Sequence, residues 1–403
     1  PDRAKYPAWG RMVEAFVRHL VERYGLEEVQ KWYFEVWNEP NLYWGFFHGT
    51  RSDYFELYRT SANAVKAVDP SLKVGGPATS NFISDARHDG EIQDNSKSVF
   101  HPQETINDRQ WKGVWIEEFL AFCAREKLPV DFVSCHAYPT DYALDPVSGR
   151  GRDAIRYVHS LRDDLNWLKG AIAASEYPDA ELHITEWSTS PNSRDTLHDN
   201  LPPAAYIVKA MLECAGLADS VMYWTFTDIF EEKGGGENIF HGGFGMLNFQ
   251  GIAKPSYHAY RMLNALGDEV LCNSDPVVVT RKEGKIVALA YAYPEEYESR
   301  VPSARNAGEG MDASPVEVDL EITGLAPGAA FEVDISEAAK QAQQTPAQAE
   351  DFSVEDEGAK ETKGLSADQV QALQDDLETQ QQTFLNVMIQ ALTESNDKLQ
   401  AWL

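Results

Sequence analysis

Along the first 270 residues the apolar positions alternate between a helical period and short runs of strand type. Trp9, Met12, Val13, Phe16, Val17, Leu20, Val21 and Tyr24 recur at helical spacing, and Gly25 follows where a C-cap belongs. The run Trp32-Tyr33-Phe34-Glu35-Val36-Trp37 is aromatic and β-branched and reads as a strand ending at Asn38-Glu39-Pro40. The same unit then repeats. Tyr54, Leu57, Tyr58, Ala62, Val65 and Val68 predict a helix stopping before Pro70, followed by the strand Leu72 to Gly76. A helix around Trp115 to Glu126 precedes the strand Val130 to His136. One around Ile155 to Ala174 precedes Leu182 to Glu186, and one around Ala204 to Ala215 precedes Val221 to Phe226. Lys254 to Leu266 forms a last helix.

Helix-strand alternation of this kind implies parallel strands joined by right-handed helical crossovers. A doubly wound open sheet also alternates, but Gly234-Gly235-Gly236 is no G-x-G-x-x-G fingerprint. The expected fold is therefore α/β, a (β/α)8 barrel of the TIM type. Polar residues at the C-terminal ends of its strands converge on one mouth: Asn38 and Glu39, His136 with Tyr138, Glu186, and Trp224. Eight strands close such a barrel and this stretch supplies five, so three have no counterpart in the chain.

Beyond residue 268 the period changes to two. Segments around 276–280, 285–291, 316–320 and 331–334 predict a small antiparallel β-sandwich over residues 269–335. Residues 336–364, rich in Gln, Ala and Glu, read as a linker or disordered segment. Ser366 and Gln369 then form a capping box opening an amphipathic helix over 365–403, with Val370, Leu373, Leu377, Phe384, Met388, Leu392 and Leu399 as its stripe. That stripe needs a partner, either the chain's own barrel or a second copy in a homo-oligomer.

A formal charge of −29 sets the class of ligand. Neither nucleic acid nor an anionic membrane is drawn to such a surface, so a neutral ligand is expected. No apolar run reaches the roughly 20 residues of a membrane span. Cys123, Cys135, Cys214 and Cys272 lack metal-ligand spacing and read as buried free thiols. The chain opens at Pro1 inside its first helix with no signal-like segment, which leaves the compartment open, cytoplasmic or exported.

Two carboxylates at the ends of different barrel strands are poorly explained by folding, because a barrel interior is a costly place for an unpaired charge. They are what glycosidic bond cleavage requires: an acid to protonate the leaving oxygen and a carboxylate to attack, or to activate water at, the anomeric carbon. Glu39 and Glu186 are the pair. His136 fits equally a packed core histidine, and Trp224 a core aromatic, on spacing alone.

The motifs Trp37-Asn38-Glu39-Pro40-Asn41-Leu42, His136-Ala137-Tyr138, Ile184-Thr185-Glu186-Trp187, Tyr223 to Glu232, and His241 to Leu247 running into Lys254 to Tyr260 together resemble glycoside hydrolase family thirty-nine, in particular its β-xylosidase branch. The likeness spans roughly residues 7–271. It implies a retaining mechanism in a barrel carrying a β-sandwich, without metal or organic cofactor. By resemblance Glu39 is the acid/base and Glu186 the nucleophile. Asn38 matches the residue on the sugar 2-hydroxyl, His136 and Tyr138 the pair that positions the nucleophile, and Trp224 the sugar platform. Glu231 and Glu232 match an acidic pair gripping the distal hydroxyls of a terminal xylose. Other activities of the same family, α-L-iduronidase or an arabinosidase or glucosidase, are the enzymatic alternatives, and a non-catalytic carbohydrate-binding protein is the rival from another class. An iduronidase would want a basic residue for its substrate's carboxylate, and no Arg or Lys adjoins the Glu39, His136 and Glu186 motifs.

Overall fold

A computed structural model of the chain describes residues 2–43, 45–84, 90–92, 105–144, 151–229, 236, 238–291 and 293. All lie in one compact unit, Pro1–Glu337. The sandwich strands expected around 316–320 and 331–334, the linker and the C-terminal amphipathic helix fall outside the described residues.

Helix α1, Tyr6–Tyr24, ends where Gly25 takes φ of 86° and its N–H closes on Val21 O. A single turn, α2, Leu26–Val29, leads into strand β1, Tyr33–Glu35. Helix α3, Arg51–Val68, starts with a capping box: Thr50 Oγ1 accepts from Asp53 N–H while the Asp53 carboxylate accepts from Thr50 N–H. Its buried face of Tyr54, Leu57, Tyr58, Ala62 and Val65 covers the next strand, β2, Lys73–Ser80. The short strands β3, Phe82–Ile83, and β4, Lys112–Gly113, pair antiparallel before helix α4, Ile116–Glu126, and strand β5, Phe132–His136.

After β5 an antiparallel hairpin, β6, Thr140–Leu144, and β7, Gly151–Ile155, precedes helix α5, Ser160–Ala173. The helix expected from Ile155 thus starts at Ser160, because Ile155 is the last residue of a ladder strand. Strand β8, Glu181–Trp187, helix α6, Leu201–Glu213, strand β9, Ser220–Tyr223, and helix α7, Pro255–Ala265, complete the series.

Strands β1, β2, β5, β8 and β9 form one parallel sheet in chain order, which makes a half-barrel of five strands with helical crossovers. The sheet buries Val74, Val133, Leu182 and Ile184 in the hydrophobic core on its helix-covered face. Gly75 permits the closest approach within the sheet, since a Cβ there would stand 2.2 Å from Phe132 O. Three strands, β10, Glu269–Ser274, β11, Val277–Lys282, and β12, Lys285–Ala290, form an antiparallel sheet. The first of these has no clean alternation, with all its residues exposed, and periodicity did not reveal it. Three of the cysteines are buried free thiols as expected, whereas Cys272, on that exposed strand, is not.

Candidate active site

The strand ends place the chemistry. Beyond β1 the chain follows the end of β2: Val36 N–H donates to Gly75 O at 3.1 Å and Glu39 N–H to Ala78 O at 2.9 Å. Asn41 then clasps Ser80, its Nδ2 donating to Ser80 O at 2.8 Å and its Oδ1 accepting from Ser80 N–H at 2.9 Å. To make this path Trp37 and Glu39 adopt left-handed φ values of 71° and 45°. Such conformations cost non-glycine residues on the order of 1–3 kcal/mol and persist only where surroundings impose them. The imposed contacts are visible. The Trp37 indole N–H donates to Phe46 O at 3.0 Å, and its ring meets Trp9 and Phe47 edge-on at 5.9 and 5.7 Å.

Strands β5 and β8 shift register where they reach the same mouth, between Cys135 and His136 against β8 and between Ile184 and Trp187 against β9. A shift of this kind re-aims the side chains that follow it. His136 is thereby set opposite Glu186, and Ala137 N–H donates to Glu186 O at 3.2 Å.

Four side chains converge as a result. His136 Nδ1 lies 2.9 Å from Glu39 Oε1 and 3.6 Å from Glu186 Oε2, so the ring stands between the carboxylates. One oxygen of each carboxylate and this nitrogen all lie within 4.8 Å of one another. Tyr138 donates its hydroxyl to the other oxygen of Glu186, Oε1. Glu39, His136 and Tyr138 are buried, and the Glu186 side chain is 13% exposed. Burial works against protonating His136, but the hydrogen bond with Glu39 and the charges of Glu186, Glu39 and Glu35 outweigh it and raise its pKa above the ordinary imidazole value.

Of the remaining expected residues, Asn38 is exposed beside Glu39 at the mouth. Trp224 is half-buried just past β9, its N–H donating to Trp187 O at 2.8 Å. Glu231 and Glu232 lie outside the described residues.

Two features escaped sequence reasoning. Glu35 accepts from Thr185 Oγ1 at 2.8 Å, which ties β1 to the residue preceding Glu186; its place two residues after Tyr33 in β1 was the available signal. The second is Lys254, fully buried, whose ammonium reaches Asp228 Oδ2 at 2.9 Å, Asp199 Oδ1 at 2.7 Å and Gly243 O at 2.9 Å. It joins the start of α7 to the loop after Trp224 and the loop after β8. No spacing in the sequence connects those positions.

A buried pair of carboxylates with a histidine between them can exchange a proton on one side and present a lone pair on the other. The model of Glycosyl hydrolases family 39 matches residues 1–90 and 109–346. A β-xylosidase of Geobacillus stearothermophilus is 37% identical over 295 residues, covering 71% of this chain and 52% of its own. One of Caldicellulosiruptor saccharolyticus is 40% identical over 265 residues, covering 66% and 47%. A monomeric β-xylosidase from Caulobacter crescentus CB15, known from a crystal structure, superposes with a TM-score of 0.59 at 39% identity over 72% of this chain and 52% of that one. The chain thus spans about half the length of the curated relatives it matches.

Proposed function

Because this chain belongs to glycosyl hydrolases family 39, we propose that the protein it represents is a retaining exo-acting β-xylosidase, with Glu39 as general acid/base and Glu186 as nucleophile. The observation that carries the reading is the separation of the two carboxylates. Oxygens within 4.8 Å suit direct attack on the anomeric carbon, for which carboxyl groups about 5–5.5 Å apart are the rule, as against about 6.5–9.5 Å in inverting enzymes. The two relatives, both β-xylosidases, supply xylose as the sugar.

In the first step Glu39 gives its proton to the leaving oxygen while Glu186 attacks the anomeric carbon, and the Glu186 ester forms as the aglycone departs. Esterified Glu186 no longer bears charge beside Glu39. Glu39 then takes a proton from water, which opens the ester and releases xylose with its anomeric configuration kept. Tyr138, donating to Glu186 Oε1, holds that carboxylate in place for attack. His136, against both carboxylates, orients the pair and offsets their mutual repulsion. Asn38 takes the sugar 2-hydroxyl, Trp224 lies under the pyranose face, and Glu231 with Glu232 holds the distal hydroxyls. In the domain plan residues 1–268 are the barrel part, 269–335 the β-sandwich, 336–364 a linker, and 365–403 a helix that packs on the barrel or joins copies.

Replacing Glu186 by Ala tests the reading. Turnover of an aryl β-xyloside is expected to vanish, and added azide to restore it with an α-glycosyl azide as product. Unchanged turnover refutes the nucleophile. Binding of xylo-oligosaccharides by the unsubstituted protein without any release of xylose favours a carbohydrate-binding protein instead.

A further inference from the structure

Apart from the cluster of Glu39, His136 and Glu186, the described residues enclose a cavity of about 710 Å³, and we infer that it is a second binding site, for a carboxylate borne on a six-membered ring. None of Glu39, His136, Tyr138 and Glu186 lines it, so the site does not rest on the glycosidase reading. Its volume lies in the range of small-molecule sites, about 300–1,000 Å³. Its walls come from the segment leading into β4, the residues after β7 and the first turns of α5. The protein's own contacts hold them. Arg156, 1% exposed, grips Asp164 with both terminal nitrogens at 2.7 Å, and its guanidinium lies 4.4 Å over the Trp111 ring. Tyr157 N–H donates to Asn107 Oδ1 at 3.2 Å, and the Trp111 indole N–H to Ile106 O at 3.3 Å. Arg156 N–H donates to Pro139 O at 3.0 Å, which ties this wall to the residue after Tyr138.

The lining selects the ligand. Trp111, Tyr157 and Trp167 bring flat rings, against which a pyranose or an aromatic ring packs. The charges decide its sign. Both carboxylates of the lining are already engaged, Asp164 by Arg156 and Asp163 by Arg162 Nη2 at 3.0 Å. Arg109 differs: it lines the cavity, is exposed, and has no ion-pair or hydrogen-bond partner among the described residues. Lys112 lines the cavity too, its Nζ 4.0 Å from Glu117, at the outer limit of ion pairing. In a chain of net charge −29, an unclaimed guanidinium beside aromatic walls is an exception. Its planar fork of donors matches a carboxylate. A neutral sugar would leave that fork without its complement, and a bare phosphate would leave the rings uncovered.

Isothermal titration calorimetry on the full chain tests it, with D-glucuronate and benzoate as probes, one a sugar acid and the other an aryl acid. One saturable equivalent of at least one of them is expected, and the tighter tells which ring the walls fit. D-Xylose, which lacks the carboxylate, should bind about tenfold more weakly than that acid. Arg109→Gln should weaken the acid about tenfold, the loss of a charge-assisted hydrogen bond. Arg11→Gln, which removes the same charge from an exposed position of α1, should leave it unchanged. Trp167→Leu should also weaken it, circular dichroism reporting that the variant is folded. Saturation by neither acid, full-strength binding in Arg109→Gln, or inorganic phosphate bound as tightly as the better acid overturns the site. So does a titration that changes with Glu186→Ala, since the acid would then lie at the mouth with the two carboxylates. Failure of Glu186→Ala to abolish xyloside turnover would instead sink the proposed function and leave the calorimetry standing.

Discussion

His136 shows how a single buried residue is decided by its neighbours. Burial alone would keep it neutral, yet it faces Glu39 and Glu186 directly and feels Glu35 from the end of β1, and its pKa is raised. A folded-state pKa above the unfolded one means that the stabilisation is complete below the unfolded value and lost as pH climbs through the folded one. Glu35 enters this balance through charge and not contact, its carboxylate being held by Thr185. Glu35→Gln should accordingly lower the His136 pKa, read from the imidazole proton shifts in an NMR titration. An unmoved titration would mean that the Glu39 and Glu186 carboxylates alone set the charge.

At the scale of elements, what matters is how rigidly the strand ends are joined to the loops that follow them. Register shifts in β2, β5 and β8 all fall near the C-terminal ends, between Pro77 and Thr79, Cys135 and His136, and Ile184 and Trp187. The body of the sheet stays regular while its rim is re-aimed toward one mouth. Beyond β9 the same work falls to Lys254, which binds α7 to Asp228 and Asp199 with no exposure of its own. Truncating one partner of a buried ion cluster leaves the others uncompensated, at a cost of about 3–5 kcal/mol. Lys254→Met should lower the unfolding free energy extrapolated from urea titration by that much. It should also raise KM for an aryl β-xyloside more than it lowers kcat, because it frees the loop beside Trp224 and leaves the Glu39–His136–Glu186 set in place. A loss of kcat alone would speak against that division.

For the molecule as a whole, the two ends of the half-barrel divide the labour. At the C-terminal ends of the strands lie the carboxylates. At the opposite ends Glu181 accepts from Lys73 at 2.6 Å and Tyr33 at 2.5 Å and pairs with His183 at 3.0 Å, which binds β1, β2 and β8 together. Burial opposes its charge, but those hydrogen bonds and the Lys73 ammonium outweigh it and hold its pKa at about 2, against an ordinary 4.5. Its contribution to stability is thus full above pH 4.5 and is lost as pH falls toward 2. Glu181→Gln should flatten the fall of Tm through that interval, and a parallel fall in both proteins would exclude this cluster as the acid-sensitive element. Among the described residues no helix is long and apolar enough to cross a membrane.

Periodicity by itself determined the order of helices and strands and the parallel sheet, because an apolar face repeats in the sequence whatever it packs against. It likewise singled out Glu39 and Glu186, since a carboxylate at the end of an apolar strand stands out locally. It placed the start of α5 five residues early and passed over the β6–β7 hairpin, where ladder pairing competes with helix formation over the same residues. What only the tertiary structure decided are relations between distant positions: the histidine lodged between two glutamates 97 and 50 residues from it, the Glu35–Thr185 tie, and the burial of Lys254 among carboxylates. Register at a strand end turns on a single residue of offset, and charge on whatever side chains that offset brings within a few ångströms. Neither leaves a period for the chain to display.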